Sequence, residues 1–500
     1  MLYGTFLFLS VTVFLIADGT NIEGPKHGKV AVCYVASWAI FRDPPFNFAV
    51  SDIDPSLCTH IVYAFAGLDE ESSTIKSLDI WLDIERDNGN AAYKNLTSFK
   101  KYHPHIKITL SLGGWNEGSV KFSRMASDKW KRAKFVKSVT QYLEKYGFDG
   151  LNVMWKYPTL RGGRPEDKKN FVILIKELKE AFIPYGYILS ATLSNLKEII
   201  SAAYDLECLN RHLDLIYLIG YDYNGPWDKI VGASAPLRGL SKQDIRNVEY
   251  TIKYMLSHGI SPDKLVLGLQ LHGKTFILKD PDVKNVEFGK TQSESEVFTG
   301  PYLNGANMYG YNEACLEFKN NSKWVYHWDK ASSTPYLRDG RRIVSYDDTR
   351  SIANKVRLAM DYDLAGFMVW SMDMDDFRGL CDIPNNTYTD FIERFNERIN
   401  NKSWQDSFKN LNTQGDLEGK IYGTLKGEPI LKLPKNNFKN YQILRTINDA
   451  IDVALEEKKI ADAIKLISAS IQERNTEDFS AKQTLCYKTY YEVCLNEPEY

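Results

Sequence analysis

Five hundred residues, 44% of them apolar and 13% aromatic, are enough to bury a large core. With 62 basic against 64 acidic side chains the net charge is −2, so no excess of positive charge is offered to a polyanion and nucleic acid is not an expected partner. The seven cysteines, Cys33, Cys58, Cys208, Cys315, Cys381, Cys486 and Cys494, are an odd number, which leaves at least one unpaired.

Residues 1–19 carry a short apolar run, Phe6 to Ile16, that ends in small residues around Ala17 to Thr20. This is the pattern of a cleaved secretory signal peptide, here without a charged side chain ahead of the run. The competing reading is an N-terminal anchor, but the run falls short of the about 20 apolar residues that a spanning helix needs. No later stretch is long enough, so the expectation is a secreted, extracellular protein without membrane insertion. Export permits disulfides. Four N-x-Ser/Thr triplets, at Asn95, Asn320, Asn385 and Asn401, are compatible with a glycoprotein, although such triplets are common by chance.

After the leader, short apolar runs alternate with amphipathic stretches, as strands alternate with helices in a parallel α/β domain. Eight runs read as strands, beginning near Val30, His60, Lys107, Gly150, Ile188, Leu215, Leu265 and Gly366, the sixth reaching Tyr221 and the seventh Leu271. Between them, residues 129–146 and 167–182 place Phe135, Val139, Tyr142, Leu143 and then Phe171, Leu174, Ile175, Leu178 at helical spacing. Eight such units predict a closed barrel. The alternative, an open doubly wound sheet, would usually show a glycine-rich phosphate turn after its first strand, and Ala36-Ser37-Trp38 is not one. A long connection, about 274 to 345, is too long to lack structure of its own. From about Lys402 a polar linker leads to helical spacing at Leu444, Ile447, Ile451 and Leu455, then at Ile460, Ile464, Ile467 and Ile471, which predicts a helical hairpin.

The fourth strand is the most informative. In Gly150-Leu151-Asn152-Val153-Met154-Trp155-Lys156 alternate side chains share a face, and that face offers Gly, Asn, Met and Lys, with no acid. With Asp149 before it and Tyr157-Pro158 after it, the segment resembles the signature of family-18 glycoside hydrolases, the chitinases, whose pattern is DGxDxDxE followed by YP. The first Asp, the Gly and the Tyr-Pro match; the other acids are replaced by Asn152, Met154 and Lys156. Further matches lie in the family's order: Val32-Cys33-Tyr34 with Trp38, Asp52 to His60, Tyr63 to Ala66, Ser111 to Asn116, Tyr221-Asp222-Tyr223 with Trp227, Tyr346-Asp347-Asp348, and Gly366 to Trp370 leading to Asp375-Asp376-Phe377.

The resemblance implies a TIM (β/α)8 barrel over 20–401 with an inserted α+β domain at 274–345; residues 402–500 read, from composition and spacing, as a linker and helical extension. The resemblance also implies pairing of Cys33 with Cys58 and of Cys315 with Cys381, leaving Cys486 with Cys494 as a plausible local pair and Cys208 as a buried free thiol. No cofactor or metal is implied. Family-18 enzymes use the substrate's own acetamido group as nucleophile while one glutamic acid protonates the leaving oxygen. That acid falls at Lys156, whose unperturbed pKa of ~10.4 suits it poorly to the task unless burial lowers it. The carboxylate that would hold the acetamido group falls at Met154, and Asn152 keeps a polar group without charge. His272, Lys274 and Ile219 also depart from the family's pattern.

Stacking surfaces survive better than acids. By resemblance Tyr34, Trp38, Trp115, Asn116, Tyr157, Tyr221, Asp222, Trp227 and Trp370 line a sugar cleft with Trp370 as its floor, although Tyr34 and Tyr157 read equally well as barrel core. The chain therefore reads as an inactive chitinase-like protein of arthropod type, a lectin for chitin or N-acetylglucosamine-containing glycans. The alternatives are a signalling or scaffold protein that acts through a protein receptor, and an enzyme with altered chemistry in the remodelled cleft.

Overall fold

The computed structural model describes residues 23–85, 89–303, 305, 307–321, 323–381, 386–399, 431, 433–434 and 439–474. The leader, Asn385, Asn401, Cys486 and Cys494 lie outside them. Eight parallel strands close on themselves: β1 (Val30–Ala36), β2 (His60–Asp69), β4 (Lys107–Gly114), β5 (Gly150–Trp155), β6 (Ile188–Leu193), β7 (Leu215–Leu218), β8 (Leu265–Gln270) and β14 (Gly366–Trp370), with β14 returning to β1 and β1 pairing β2. β3 (Thr74–Ser77) adds as a hairpin on the far end of β2.

The strands are buried on both faces, as an internal parallel sheet requires. On β5, Leu151, Val153 and Trp155 face the helices, and Trp155 stacks on Phe122 and meets Phe171 edge-on. Asn152 and Met154 face inward. The helices Lys129–Tyr146 and Asp167–Phe182 bury Phe135, Val139, Leu143 and Phe171, Leu174, Ile175, Leu178 against this outer face. Asp128 caps the first of them and Gly147, at φ 74°, ends it in the left-handed region. Gly150 is required where β5 meets β6, because a Cβ there would lie 2.1 Å from the Ile188 carbonyl oxygen.

Two strand ends differ from expectation. β7 stops at Leu218, so Tyr221 and Asp222 stand on a loop in which Asp222 takes φ 61°. β8 stops at Gln270, where Leu271 donates its N–H to the Trp370 carbonyl, and the chain then enters a second sheet. That sheet is antiparallel, in the order β10 (Met308–Gly310), β9 (His272–Ile277), β13 (Arg342–Ser345), β12 (Thr334–Asp339), β11 (Val325–Asp329), with the helix Tyr311–Asn320 between β10 and β11. It is the inserted α+β unit, and its first strand begins at His272. Disulfides join Cys33 to Cys58 and Cys315 to Cys381, with Cα separations of 6.0 and 5.5 Å. Cys208 is a free thiol but only half-buried, because it lies on the short surface helix Leu206–His212.

The C-terminal element is one helix, Gln442–Arg474, and not the predicted hairpin. The segment between its two apolar stretches, Glu456-Glu457-Lys458-Lys459, consists of strong helix formers and contains no Gly or Pro to stop it. Its first half buries Ile443, Leu444, Ile447, Ala450 and Ile451 in the main core.

Candidate functional site

The C-terminal ends of the strands gather the aromatic side chains, as the barrel geometry dictates. β14 ends at Trp370, whose ring meets Tyr34 edge-on at 5.3 Å and stacks on Phe65 at 5.7 Å; Phe65 in turn stacks on Trp38 at 5.9 Å. The β2–β4 register shifts between Ala64 and Ala66, and this bulge turns the Phe65 ring towards the row. At the end of β4 Gly113 and Gly114 take φ 111° and 90°, and a Cβ on Gly114 would strike the Phe65 ring at 2.8 Å. The turn they make puts Trp115 (58% exposed) and Asn116 into solvent. The loops under the row are clamped by Asp373, whose carboxylate pairs with the buried Arg42 guanidinium at 2.7 Å and so joins the segment after Trp370 to the segment after Trp38.

Deeper in the barrel, Asn152 is fully buried and its Oδ1 accepts from the hydroxyls of Tyr34 (2.8 Å), Ser111 (2.9 Å) and Thr192 (3.1 Å), while its Nδ2 donates to Ser190 Oγ at 3.0 Å. Both polar atoms of the amide thus have partners. Met154, one layer above, lies in an apolar cluster with Val62, Ala64, Tyr217 and Met368, over which Trp370 packs. Lys156, at the mouth, is half-buried and forms no ion pair among the described residues. Burial is the largest influence on it and pulls its ammonium down to about 8; Asp222 acts in the opposite direction, and Lys274 and Arg161 add to the fall.

The opposite wall is charged. Asp222 Oδ1 sits 3.0 Å from Lys274 Nζ and 3.4 Å from His272 Nε2, and the Lys274 ammonium lies 5.6 Å from the centre of the Trp227 ring. Burial alone would raise the Asp222 carboxyl, but Lys274 and the His272 hydrogen bond outweigh it and hold the group far below the usual carboxylate range. The buried Nδ1 of His272 has no hydrogen-bond partner, so Nε2 is the ring nitrogen that meets Asp222. Tyr221 meets the His272 ring edge-on at 5.6 Å. A separate recess of about 330 Å³ lies on the helix side of β1 and β2, lined among others by Val35, Tyr63, Asn95 and Phe99, and is no part of this cleft.

The sequence profile of Glycosyl hydrolases family 18 matches residues 30–375. The chain belongs to that family. It is 39% identical over 466 residues to "Probable chitinase 2" of Drosophila melanogaster, covering 91% of this chain and 87% of the relative. Among solved structures it superposes on the Group IV chitinase of Ostrinia furnacalis with a TM-score of 0.70 at 33% identity, over 85% of this chain and 100% of that one. It superposes on human YKL-39, described as a pseudo-chitinase with retained chitooligosaccharide binding, with a TM-score of 0.65 at 26% identity, over 85% of this chain and 100% of that one.

In the family-18 barrel the three non-acidic residues thus occupy three consecutive layers of one interior column, and each is accommodated differently: Asn152 by hydrogen bonds, Met154 by apolar packing, Lys156 by partial exposure at the mouth. Of the aromatic residues singled out in the sequence, Trp38, Trp115 and Trp227 are exposed and Trp370 is half-buried, all at the mouth. Tyr34 and Tyr221 are buried and support the row from beneath, and Tyr157 is half-buried, its carbonyl accepting from Ser119 Oγ at 2.8 Å. Phe65, Arg161 and the hydroxyls around Asn152 were missed. The hydroxyls had a signal, polar residues at alternate positions of otherwise apolar strands. Arg161, which lies 3.8 Å over the Trp115 ring and donates to the carbonyls of Trp115 and Lys156, had none, since it stands in an unpatterned loop.

Proposed function

We propose that this chain is a secreted family-18 lectin that binds chitin or N-acetylglucosamine oligosaccharides without hydrolysing them. The observation that carries the reading is the pairing of an acid-free β5 column with an intact aromatic row at the barrel mouth. Sugar rings present apolar C–H faces to such rings, and polar groups at the edges fix orientation. Trp38, Trp115, Trp227 and Trp370, with Asn116, Tyr157 and Asp222 at the edges, supply both.

Hydrolysis fails in this reading for reasons of charge rather than of proton affinity. An ammonium pulled down to about 8 is within range of a proton donor. It nonetheless places positive charge beside a transition state that develops positive charge, and Met154 provides no carboxylate for the acetamido group. Losing one positioned acid or base commonly reduces rate by about 10²–10⁴. Secretion accords with the two disulfides and the apolar leader, and glycosylation at Asn95 and Asn320 with the exposure of both side chains.

The test is titration of the secreted protein with N-acetylglucosamine oligomers of increasing length, following tryptophan fluorescence and assaying the same samples for released sugar. Affinity that grows with length, with no product, supports the lectin. Product release would overturn it, and silence at millimolar ligand would favour a protein receptor.

A further inference from the structure

The mouth of the cleft carries three cations and one carboxylate. Asp222 is the acid, and Lys274 is paired with it directly. Lys156 stands close enough to Asp222, Lys274 and Arg161 to feel all three, yet pairs with none of them. Arg161 lies flat on Trp115 and spends its hydrogen bonds on the backbone carbonyls of Trp115 and Lys156, so no carboxylate among the described residues neutralises it. The nearby acids are engaged elsewhere: Glu117 with Lys121 and the Leu68 N–H, Asp228 with Arg246, and Asp373 with Arg42. Lys156 and Arg161 are therefore two cationic side chains without an ion-pair partner among the described residues, the first directly after β5 and the second stacked on Trp115 and bonded to the Lys156 carbonyl.

We infer that the cleft prefers a glycan bearing an oxyanion, a carboxylate or a sulfate ester on a sugar ring, which Lys156 and Arg161 receive while the aromatic row stacks the neighbouring rings. The inference rests on the carbohydrate-binding reading above and gives that site its ligand class. A neutral acetamido oxygen would accept one hydrogen bond from Lys156 but would leave the repulsion among the three cations in place. An oxyanion removes that repulsion as it binds, and at a half-buried site the attraction is screened less than it would be at an open surface. The lowered proton affinity of Lys156 fits: it is an ammonium kept in an environment that disfavours it, beside a cleft rather than a partner.

Three hexasaccharides of equal length separate the possibilities: the N-acetylglucosamine hexamer, an oligomer alternating N-acetylglucosamine with glucuronate, and a 6-O-sulfated N-acetylglucosamine hexamer. Affinities are measured by titration calorimetry in about 20 mM and about 500 mM salt, where screening lengths differ severalfold. The expected result is that at least one acidic oligomer binds about tenfold tighter than the neutral one at low salt, that the preference shrinks at high salt, and that Lys156→Gln brings the acidic-to-neutral ratio close to one. Near-ultraviolet circular dichroism checks that the variant is folded, and the salt dependence of the unaltered protein stands without it. Whichever acidic oligomer gains identifies carboxylate or sulfate as the group received. Neutral binding with no acidic preference, or a preference that survives Lys156→Gln, overturns the inference and leaves the lectin reading standing. Failure of all three oligomers to bind overturns both.

Discussion

At Lys156 burial and two neighbouring cations act against a charged side chain, and only Asp222 acts for it. The folded-state value, about 8, lies below the ordinary lysine value of 10.5, so between them the unfolded chain binds more protons and stability rises with pH. Below about 8 the charge burdens the folded state fully. Lys156→Met removes it and should stabilise the protein at pH 7 by ~1–3 kcal/mol, less than the full shift would give because water reaches the half-buried ammonium. The gap should close towards pH 10.5, and urea unfolding at several pH values measures it. A pH-independent gap would mean that packing, not charge, is responsible. The identity of Lys156 was legible in the sequence, and so was its sign. What was not legible is that Arg161 would stand beside it, because it arrives from a loop, or that Lys274, already visible as a departure at the cleft, would pair with Asp222.

The helix Gln442–Arg474 starts on a buried acid. Asp375 accepts from the N–H groups of Ile443 (3.1 Å), Leu444 (2.9 Å) and Asp376 (2.7 Å), so a residue five positions after Trp370 caps the C-terminal helix. Burial pushes its carboxyl up to about 7 although those hydrogen bonds pull it down. A raised value reverses the usual sign for an acid: its contribution to stability is fully present below the unfolded value near 3.8 and is lost as pH rises through about 7. Asp375→Ala removes the cap and should loosen the helix start by ~1–2 kcal/mol, seen as faster hydrogen exchange at residues 443–451. Asp375→Asn should keep protection close to that of the unaltered protein and flatten its fall between pH 4 and 7. The helix itself was legible from its spacing. Its continuity was not, because a run of four charged residues looks the same in a turn and on a solvated helix face, and neither was its cap, because nothing local links residue 375 to residue 443.

The C-terminal helix also ties the barrel together across long sequence distances. Asn448 bonds His27 and the Leu57 carbonyl, Tyr441 bonds the Asp52 carbonyl, Lys458 pairs with Asp363, and Glu457 faces Arg357 and Arg394. Ending the chain at residue 399 would uncover an apolar face and leave the buried Arg357 without Glu457. Unpartnered buried charge and a large exposed apolar patch are both destabilising. The truncated protein should therefore show a thermal midpoint lower by more than ~5 °C, or aggregate, in a melt followed by light scattering. An unchanged midpoint would make the helix an ornament. Glu457→Gln offers a milder version in which only the charge is lost.

The sequence by itself determined the barrel, the family and the loss of three acids, because each is written in residues close together: alternating periods, ordered motifs, and one strand whose interior face can be read at every second position. Tertiary structure alone decided what surrounds that face. Asn152 is satisfied by hydroxyls from three other strands, Met154 by apolar side chains from five, and Lys156 meets its charged neighbours only at the mouth. The physical reason is range: backbone periodicity is a local property of the chain, whereas desolvation and Coulomb interaction depend on distance in space and take no account of separation in sequence.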